Sequence, residues 1–338
     1  MTIRRKIGKW ISTIILVAAL PGIWFLHYSL SPISKSLDRQ TVIIPKGSGF
    51  PQIAEILAEA GLVKNRPFFR TLTMARGASR RLQAGEYEFA GRLSPNDLIS
   101  RLVNGEIKQY EVMLPEDITV DEVANRLAAF NLINVDEFMA LSIDKAFLQS
   151  LKIEAESIEG YLFPNTYFLN RSMTTREIIH QLVGEFWRQI TPEIAQRVQS
   201  LGFTIHQWVT FASLIGKESG RNNEKGLISA VFHNRLKQGM RLQSDPTAVY
   251  RLEENGAPVR TILRRHLAMK TPHNTYQIYG LPPGPIANPG LDSLRAALYP
   301  EPVPYLYFVA SPDGGHQFSS TLTEHNQAVS KYRACQKN

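Results

Sequence analysis

Glu218 is the residue of this 338-residue chain whose setting first suggests chemistry. Thr204 and Gln207 have the spacing of a capping box, so a helix is predicted to begin at Ile205. Three large apolar residues fall on the same face of that helix as Glu218: Trp208, Phe211 and Ile215. Gly220 is predicted to end the helix, which places Glu218 in its last turn.

Burial and the negative end of the helix dipole both disfavour a carboxylate at this position, so both should raise the pKa of Glu218. A carboxyl group that keeps its proton near neutral pH can protonate a glycosidic oxygen. A glutamate in a last turn can instead point outward and pair with a neighbour such as Lys217 or Arg221. Helical geometry alone leaves both interpretations open.

Two later segments carry polar side chains that could contact a substrate. A second helix, predicted near residues 224–237, leads into "MRLQSDPTAVY", in which Gln243, Ser244 and Asp245 precede a proline. The run "HNTYQIYGLPPGPIANPG" (273–290) holds amide and aromatic side chains among prolines and glycines: Asn274, Tyr276, Tyr279 and Asn288. Rings can stack on sugars and amides can reach hydroxyl and acetamido groups, so a polysaccharide groove is predicted. The alternative is that the Pro/Gly-rich run is a plain connector.

Other site chemistries have weaker support. The eight histidines include no HExxH or similar close pair, so no metal and no cofactor is expected. "GKESG" is not the G-x-S-x-G elbow of a serine hydrolase, and Gly47-Ser48-Gly49 lacks the rest of a phosphate-binding fingerprint. The single cysteine, Cys335, excludes a disulfide framework within the chain.

The N-terminus has the pattern of a membrane anchor. Four basic residues come first: Arg4, Arg5, Lys6 and Lys9. The apolar run from Trp10 to Leu26 follows, close to the shortest length that spans a bilayer. The positive-inside rule then predicts a single-pass transmembrane helix in the cell (inner) membrane, with a cytoplasmic N-terminus and a periplasmic or extracytoplasmic chain after it. No small-x-small cleavage site follows, which favours an uncleaved anchor over a signal peptide.

Charge and repetition describe the rest of the chain. The 38 basic residues less those four leave 34, against 30 acidic ones, and this mild balance argues against nucleic acid as a partner.

Residues 42–63 and 112–133 align at a constant offset of 70. Each copy predicts a strand, a turn at proline and an amphipathic helix, after which Gly61 or Asn131 can adopt the left-handed conformation. Further helix starts are predicted from caps: Ser94 with Asp97, Thr119 with Glu122, and Thr174 with Glu177.

Seven segments carry a resemblance to a known family. They are "EGYLFPNTY" (159–167), "ASLIGKES" (212–219), "VFHNRL" (231–236), "MRLQSDPT" (240–247), "NTYQIYGLPPGPIANPG" (274–290), "YLYFVA" (305–310) and "GGHQFSSTLTEHN" (314–326). The "QSDPT" and "GLPPGPI" blocks, in this order and spacing, are the most specific. Together the segments resemble the endolytic murein transglycosylase family, also called YceG-like, and the likeness covers about residue 40 to 332.

The resemblance implies an enzyme, a lyase of cell wall biogenesis that cleaves the MurNAc–GlcNAc β-1,4 bond within nascent peptidoglycan and leaves 1,6-anhydroMurNAc ends. The family's catalytic glutamate, in a K-E-[ST] motif, corresponds to Glu218, which would act as general acid and then as general base. Gly216 departs from the family pattern, which has a larger or charged residue there. The expected substrate-binding residues are those of the two polar segments: Gln243, Ser244, Asp245, Asn274, Tyr276, Tyr279 and Asn288.

The resemblance also implies an α+β fold with four parts. These are a cytoplasmic tail and transmembrane anchor at 1–33, LysM-like modules at 40–105 and 108–190, and an α+β catalytic domain at 200–334. The modules are expected either to bind glycan or to serve as scaffold. Peptidoglycan glycan strands, the lipid bilayer and peptidoglycan synthases are the expected partners. Two alternatives stay open: a muramidase-type hydrolase with Asp245 as second carboxyl group, and a peptidoglycan-binding scaffold without catalysis.

Overall fold

The computed structural model describes residues 20–34, 36–254, 256–259 and 261–335. Helices and strands are mixed along the chain, which confirms the predicted α+β class. The fold divides into two units, each with its own internal packing. The first comprises the residues up to Tyr110 together with Phe168–Met173, and the second comprises Glu111–Tyr167 and the chain from Thr174 onward.

The predicted anchor, Trp10 to Leu26, lies mostly outside the described residues. Residues 20–30 form helix α1, in which Trp24 is 66% exposed whereas Tyr28 packs edge-on against Phe68 with ring centroids 5.4 Å apart. No helix within the described ranges has the length and apolar character needed to cross a membrane.

The first unit contains a two-stranded antiparallel sheet and three further helices. Its elements are β1 (Leu37–Ile44), α2 (Phe50–Glu59), α3 (Arg66–Ala75), β2 (Gly85–Gly91) and α4 (Pro95–Asn104). Val42 pairs with Tyr87 across the sheet. Each element contributes buried apolar side chains to one core, for example Ile44, Leu57, Phe69, Phe89 and Leu98. This core is the first copy of the repeat folded on itself.

The second copy of the repeat has the same order of elements with a longer helical insert. They are β3 (Tyr110–Leu114), α5 (Val120–Ala129), α6 (Val135–Ser142), α7 (Lys145–Ser150), β4 (Asn165–Leu169) and α8 (Thr175–Arg188). Helices α2 and α5 begin and end at the offset of 70 that the sequence alignment predicts. Gly61 and Asn131 follow them with φ of +72° and +54°, which confirms the predicted left-handed residues.

The rest of the second unit is mainly helical. It contains α9 (Pro192–Ser200), α10 (Ile205–Glu218), a 3₁₀ turn (Asn222–Glu224), α11 (Lys225–Lys237), α12 (Asp245–Val249), β5 (Glu253–Glu254), β6 (Ala257–Pro258), α13 (Arg264–Leu267), α14 (Leu291–Leu298), β7 (Tyr307–Ala310), β8 (His316–Ser319) and α15 (Leu322–Cys335). Helix α10 is its centre, because every residue from Trp208 to Gly216 is buried and the helix packs against α11, α12 and α14.

Helix boundaries agree with the sequence at starts better than at ends. The capping box of Thr204 with Gln207 and the start of α10 at Ile205 are confirmed. The predicted end at Gly220 is wrong, because α10 stops at Glu218 and Ser219 is already extended, with φ of −94° and ψ of 112°. The other predicted caps are confirmed as capping boxes before α4, α5 and α8. Strands β7 and β8 pair antiparallel as a hairpin near the C-terminus.

The turn between β3 and α5 packs against α10 within the second unit. The Asp117 N–H donates to Asn288 O at 2.8 Å, and the Asn288 N–H donates to Ile118 O at 2.9 Å. Lys217 Nζ donates to Asp117 O at 3.2 Å. The Asp117 carboxyl lies over Gly216, where an added Cβ would overlap it. The missing side chain at Gly216 therefore makes room for Asp117.

Gly290 makes room for Glu116, as Gly216 does for Asp117. Glu116 lies over Gly290, the N-cap residue of α14, where a Cβ would also overlap the carboxyl group. Glu116 Oε2 is 3.0 Å from Nζ of the buried Lys225, which starts α11. Acidic side chains from the second repeat thus fit two glycine positions beside α10 and α14.

Candidate active site

Glu218 is partly buried at the end of α10 and is held by donors from the next loop. Ser244 Oγ donates to Glu218 Oε1 at 2.6 Å, and the Asp245 N–H also donates to the carboxyl group. Burial is the main cause that raises the pKa of Glu218, to about 7, and the Asp245 charge adds to it. The donors and the Arg235 charge lower the pKa without cancelling the effect of burial. Glu218 can therefore both give and take a proton near neutral pH.

The two oxygens of Glu218 are not equivalent. Oε1 accepts the Ser244 hydroxyl proton, and an oxygen that already accepts this bond is the poorer position for the carboxyl group's own proton. Ser244, a predicted substrate-binding residue, is fully buried and contacts Glu218 itself.

Two buried threonines fix Ser244. Its N–H donates to Thr275 Oγ1 at 2.9 Å, and its carbonyl accepts from Thr247 Oγ1 at 2.6 Å. The two threonine hydroxyls lie 2.8 Å apart, and the Thr275 N–H donates to Thr247 Oγ1 at 3.1 Å. This network joins the "QSDPT" and "NTY" segments and orients the Ser244 hydroxyl toward Glu218.

Gln243, Asp245 and Tyr276 lie beside this network. Tyr276 Oη donates to Oδ1 of the exposed Asp245 at 2.5 Å. Burial first, and then this bond and the Asp245 charge, raise the pKa of Tyr276, so the phenol keeps its proton. Gln243 is exposed with φ of +51°, and its N–H donates to Thr275 O at 3.2 Å. The structure thus brings together four residues of the predicted site around Glu218.

Arg235 is absent from the predicted site residues, yet it belongs to this cluster. Its buried guanidinium donates from Nε to Leu306 O at 2.7 Å and from Nη1 to Leu242 O at 2.6 Å, and it stacks over the ring of Tyr307. Its charge favours the carboxylate form of Glu218. The available signal was helical periodicity, because Arg235 follows the buried residues Ile228, Val231 and Phe232 on one face of α11.

The side chain of Asn274 forms hydrogen bonds inside the protein. Asn274 is fully buried and donates from Nδ2 to three carbonyl groups, those of His266, Leu267 and Met269. Its Oδ1 accepts from the Tyr276 N–H at 3.0 Å. Both polar side-chain atoms of Asn274 bond inside the protein and support the Tyr276 loop, and its contact with a sugar stays a prediction.

Asn288, the other buried amide among the predicted site residues, also bonds inside the protein. Its Oδ1 accepts from the Gly160 and Leu162 N–H groups at 3.0 and 2.9 Å, and its Nδ2 donates to Ile118 O and Glu159 Oε1. The side chain is buried and fastens the Pro/Gly-rich segment to the second repeat. Composition alone could not separate an amide that holds a loop from one that lines a groove.

Glu159 is a second buried carboxyl group with a different setting. Oε1 accepts from the Val120 N–H at 3.0 Å and from Asn288, and Oε2 accepts from Tyr250 Oη at 3.0 Å. Burial raises the pKa of Glu159 to about 8. Both oxygens are engaged with protein groups, so Glu159 links α5 to the residues that follow α12. Across the described ranges, no three acidic, histidine or cysteine side chains are grouped to hold a metal ion.

Comparisons with known proteins cover most of the chain. A model of the YceG-like family matches residues 42–331. An endolytic murein transglycosylase of Bacillus subtilis (strain 168) is 32% identical over 321 residues, which span 90% of this chain and 88% of that protein. An endolytic murein transglycosylase of Streptococcus pneumoniae serotype 2 (strain D39 / NCTC 7466) is 28% identical over 359 residues, which span 95% of this chain and 64% of that protein.

A solved structure is similar as well. The crystal structure of a yceG-like protein from Listeria monocytogenes matches with a TM-score of 0.60 and 31% sequence identity. The match covers 86% of this chain and 98% of that one. The similarity therefore extends over both units of the fold.

Proposed function

Because this chain belongs to the YceG-like family, we propose that it is a peptidoglycan-cleaving transglycosylase in which Glu218 is the acid and the base. The family and the names of its relatives give the class of enzyme, a lytic transglycosylase. The cleaved bond and the residue roles are the finer part of the proposal. The observation that carries them is the partly buried Glu218 carboxyl group, with a pKa of about 7, bonded to Ser244.

The proposed reaction uses one carboxyl group twice. Glu218 donates its proton to the oxygen that joins MurNAc C1 to GlcNAc, and the C1–O bond breaks as positive charge develops on the MurNAc ring. The carboxylate then takes the proton of the C6 hydroxyl while that oxygen bonds to C1. A 1,6-anhydro ring forms, GlcNAc leaves with a free 4-hydroxyl, and Glu218 ends protonated. Water is neither added nor released.

Between the two steps Glu218 is negatively charged. The Ser244 hydroxyl, the Asp245 N–H and the Arg235 guanidinium are already oriented to stabilise that charge. Exposed Gln243 and Asp245, with Tyr276, are the proposed contacts to the sugar ring near the oxocarbenium-like state. Asn274 and Asn288 are proposed to support these contacts through their hydrogen bonds inside the protein.

A hydrolase is the second candidate, and one observation favours it. Asp245 is close enough to Glu218 for its charge to raise the pKa of Glu218. A retaining or inverting glycosidase needs a second carboxyl group about 5–10 Å from the acid. Asp245 would then activate water or attack C1, and the product would carry a reducing end.

Mass analysis of the cleaved ends separates these candidates. Uncrosslinked glycan strands should give 1,6-anhydro ends with the wild type, and Glu218→Gln should lower the rate by about a thousandfold or more. Glu253→Gln, the same substitution at an exposed position, is the matched control. Reducing ends lost in Asp245→Asn would identify a muramidase. Strands left intact by the wild type would indicate the scaffold and overturn the proposal.

The membrane anchor and the modules form a further part of the proposal. The run from Trp10 to Leu26 is proposed to hold the enzyme in the cell membrane, with LysM-like modules at 40–105 and 108–190 and the bulk of the chain outside the cytoplasm. Peptidoglycan synthases at that membrane are the proposed protein partners. Support comes from the basic flank of the run and from a family that acts on cell-wall material. The association of the full-length protein with membranes should resist high salt, and deletion of residues 1–33 should abolish that association.

A further inference from the structure

Arg241 and Tyr279 form a charged aromatic shelf at the edge of the candidate site. Arg241 Cζ lies 4.9 Å from the centroid of the Tyr279 ring, which is 69% exposed. Arg241 stands two positions before Gln243 and three before Ser244. Arg235, whose charge acts on Glu218, donates from Nη1 to the carbonyl of the adjacent Leu242. The shelf is therefore continuous with the loop that holds Glu218.

Arg241 has unused donor capacity. Its Nε is buried and makes no hydrogen bond with the described residues, and none of their carboxylates pairs with its guanidinium. The side chain as a whole is partly exposed, so its terminal N–H groups are the ones that can meet an acceptor from solvent. Stacking on a ring fixes the guanidinium plane and leaves its edge to face an acceptor. The planar fork of an arginine matches the two oxygens of a carboxylate.

We propose that the shelf of Arg241 and Tyr279 binds a carboxylate of the substrate and makes the enzyme selective for strands that carry one. The inference rests on the proposed function, since it assumes that glycan strands occupy the groove beside Glu218. Peptidoglycan offers this group from two sources: the stem peptide, and the lactyl group of a MurNAc residue whose peptide has been removed. Asp245 repels anions near Glu218, so the carboxylate is bound at the shelf instead.

The test compares strands whose carboxylates are free with the same strands after amidation by methylamine. The enzymes are the full-length wild type, Arg241→Gln, Arg241→Lys and the control Arg264→Gln, an exposed arginine elsewhere in the unit. Arg241→Gln should lose about tenfold in kcat/KM on free-carboxylate strands, mainly through KM, and change little on amidated strands. Arg241→Lys should fall between them, because it keeps the charge without the fork. Equal losses on both substrates, or no loss, would overturn the proposal.

Strands stripped of peptide identify the source. A loss confined to peptide-bearing strands assigns the stem peptide, and a loss confined to stripped strands assigns the lactyl group; either result supports a carboxylate subsite. Tyr279→Leu should show a smaller loss with the same substrate pattern. If its loss is equal on amidated strands, the ring contacts sugar and its part in the shelf is wrong.

A binding measurement keeps this proposal separate from the reaction. In the Glu218→Gln background, strand affinity is measured by cosedimentation or calorimetry with and without Arg241→Gln. A weaker affinity for free-carboxylate strands alone supports the shelf even if the chain proves to be a scaffold. Unchanged affinity would overturn the shelf even if the chain proves to be a transglycosylase.

Discussion

At Glu218, burial and hydrogen bonding act on one carboxyl group in opposite directions. Burial and the Asp245 charge raise its pKa, whereas Ser244, the Asp245 N–H and Arg235 stabilise the ionised form. The balance at about 7 makes both protonation states accessible at one pH. A group that must be acid in one step and base in the next needs that balance.

Ser244→Ala should raise the pKa of Glu218. Loss of the donor to Oε1 destabilises the carboxylate, so the pKa of Glu218 should rise above about 7. The alkaline limb of kcat/KM, which reports loss of the acid form, should move to higher pH, and kcat should fall by about 10- to 100-fold. Initial rates on soluble strands across the range from mildly acidic to mildly alkaline pH measure both effects. A profile lowered at every pH without moving would mean that Ser244 contacts the sugar and not Glu218.

Ionisation of Glu218 should also destabilise the folded state. Its folded pKa of about 7 is above the ordinary glutamate value of 4.5, so the folded state binds this proton more tightly than the unfolded state does. The contribution of the protonated Glu218 to the free energy of unfolding is complete below the unfolded pKa. It is lost as pH rises through the folded pKa. Glu218→Gln stays neutral, so it should exceed the wild type by about 1–3 kcal/mol above neutral pH and match it near the unfolded pKa. Urea unfolding at both pH values checks this, and a difference independent of pH would indicate repacking.

Among the helices, α10 depends on the absence of a side chain at Gly216, because the Asp117 carboxyl group occupies that space. Gly216→Ala places a methyl group where the Asp117 carboxyl lies, two residues before Glu218. We expect a lower melting temperature and a fall in kcat of about tenfold. Adding Asp117→Gly should restore most of the activity, because it removes the carboxyl group and a glycine readily adopts the φ of +61° found there.

Gly184→Ala is the matched control for that prediction. Gly184 lies inside α8, and an added Cβ would meet no atom within 4 Å. Alanine there should be neutral or stabilising. If Asp117→Gly does not rescue Gly216→Ala, the loss arises within α10 and not from contact with the second repeat.

These elements show which features were predictable from the sequence. Capping boxes depend on residues within a few positions of one another, so the starts of α5, α8 and α10 followed from the sequence. The roles of Arg235 and Asn288 depend on which faces meet in the folded chain. The reason for Gly216 is Asp117, about a hundred residues earlier, and no local pattern joins them.

At the scale of the whole chain, most of the second repeat belongs to the unit that holds Glu218. Glu159, Ile118 and Asp117 supply hydrogen bonds to Asn288, which lies in the Pro/Gly-rich segment. A domain limited to residues 200–334 would leave the buried amide of Asn288 without these partners. Unpaired buried polar groups of this kind are destabilising.

Truncations test this directly. A chain without residues 1–33 should keep its rate on soluble strands, whereas residues 200–338 alone should fail to fold or lose cleavage by about a hundredfold or more. Circular dichroism and the mass assay for anhydro ends measure the two properties. A folded and fully active 200–338 fragment would contradict the role given to the second repeat.

The turns after Pro45 and Pro115 occupy corresponding places in the two copies of the repeat, yet they lie under different steric constraints. The second turn fits its acids against Gly216 and Gly290, so an insertion there would displace α10. In the first turn Pro45 and Gly47 are exposed, and lengthening a surface loop costs about 0.6 kcal/mol per doubling. Insertions should therefore be tolerated in the first turn, whereas the same insertions in the second turn should disturb the packing beside Glu218.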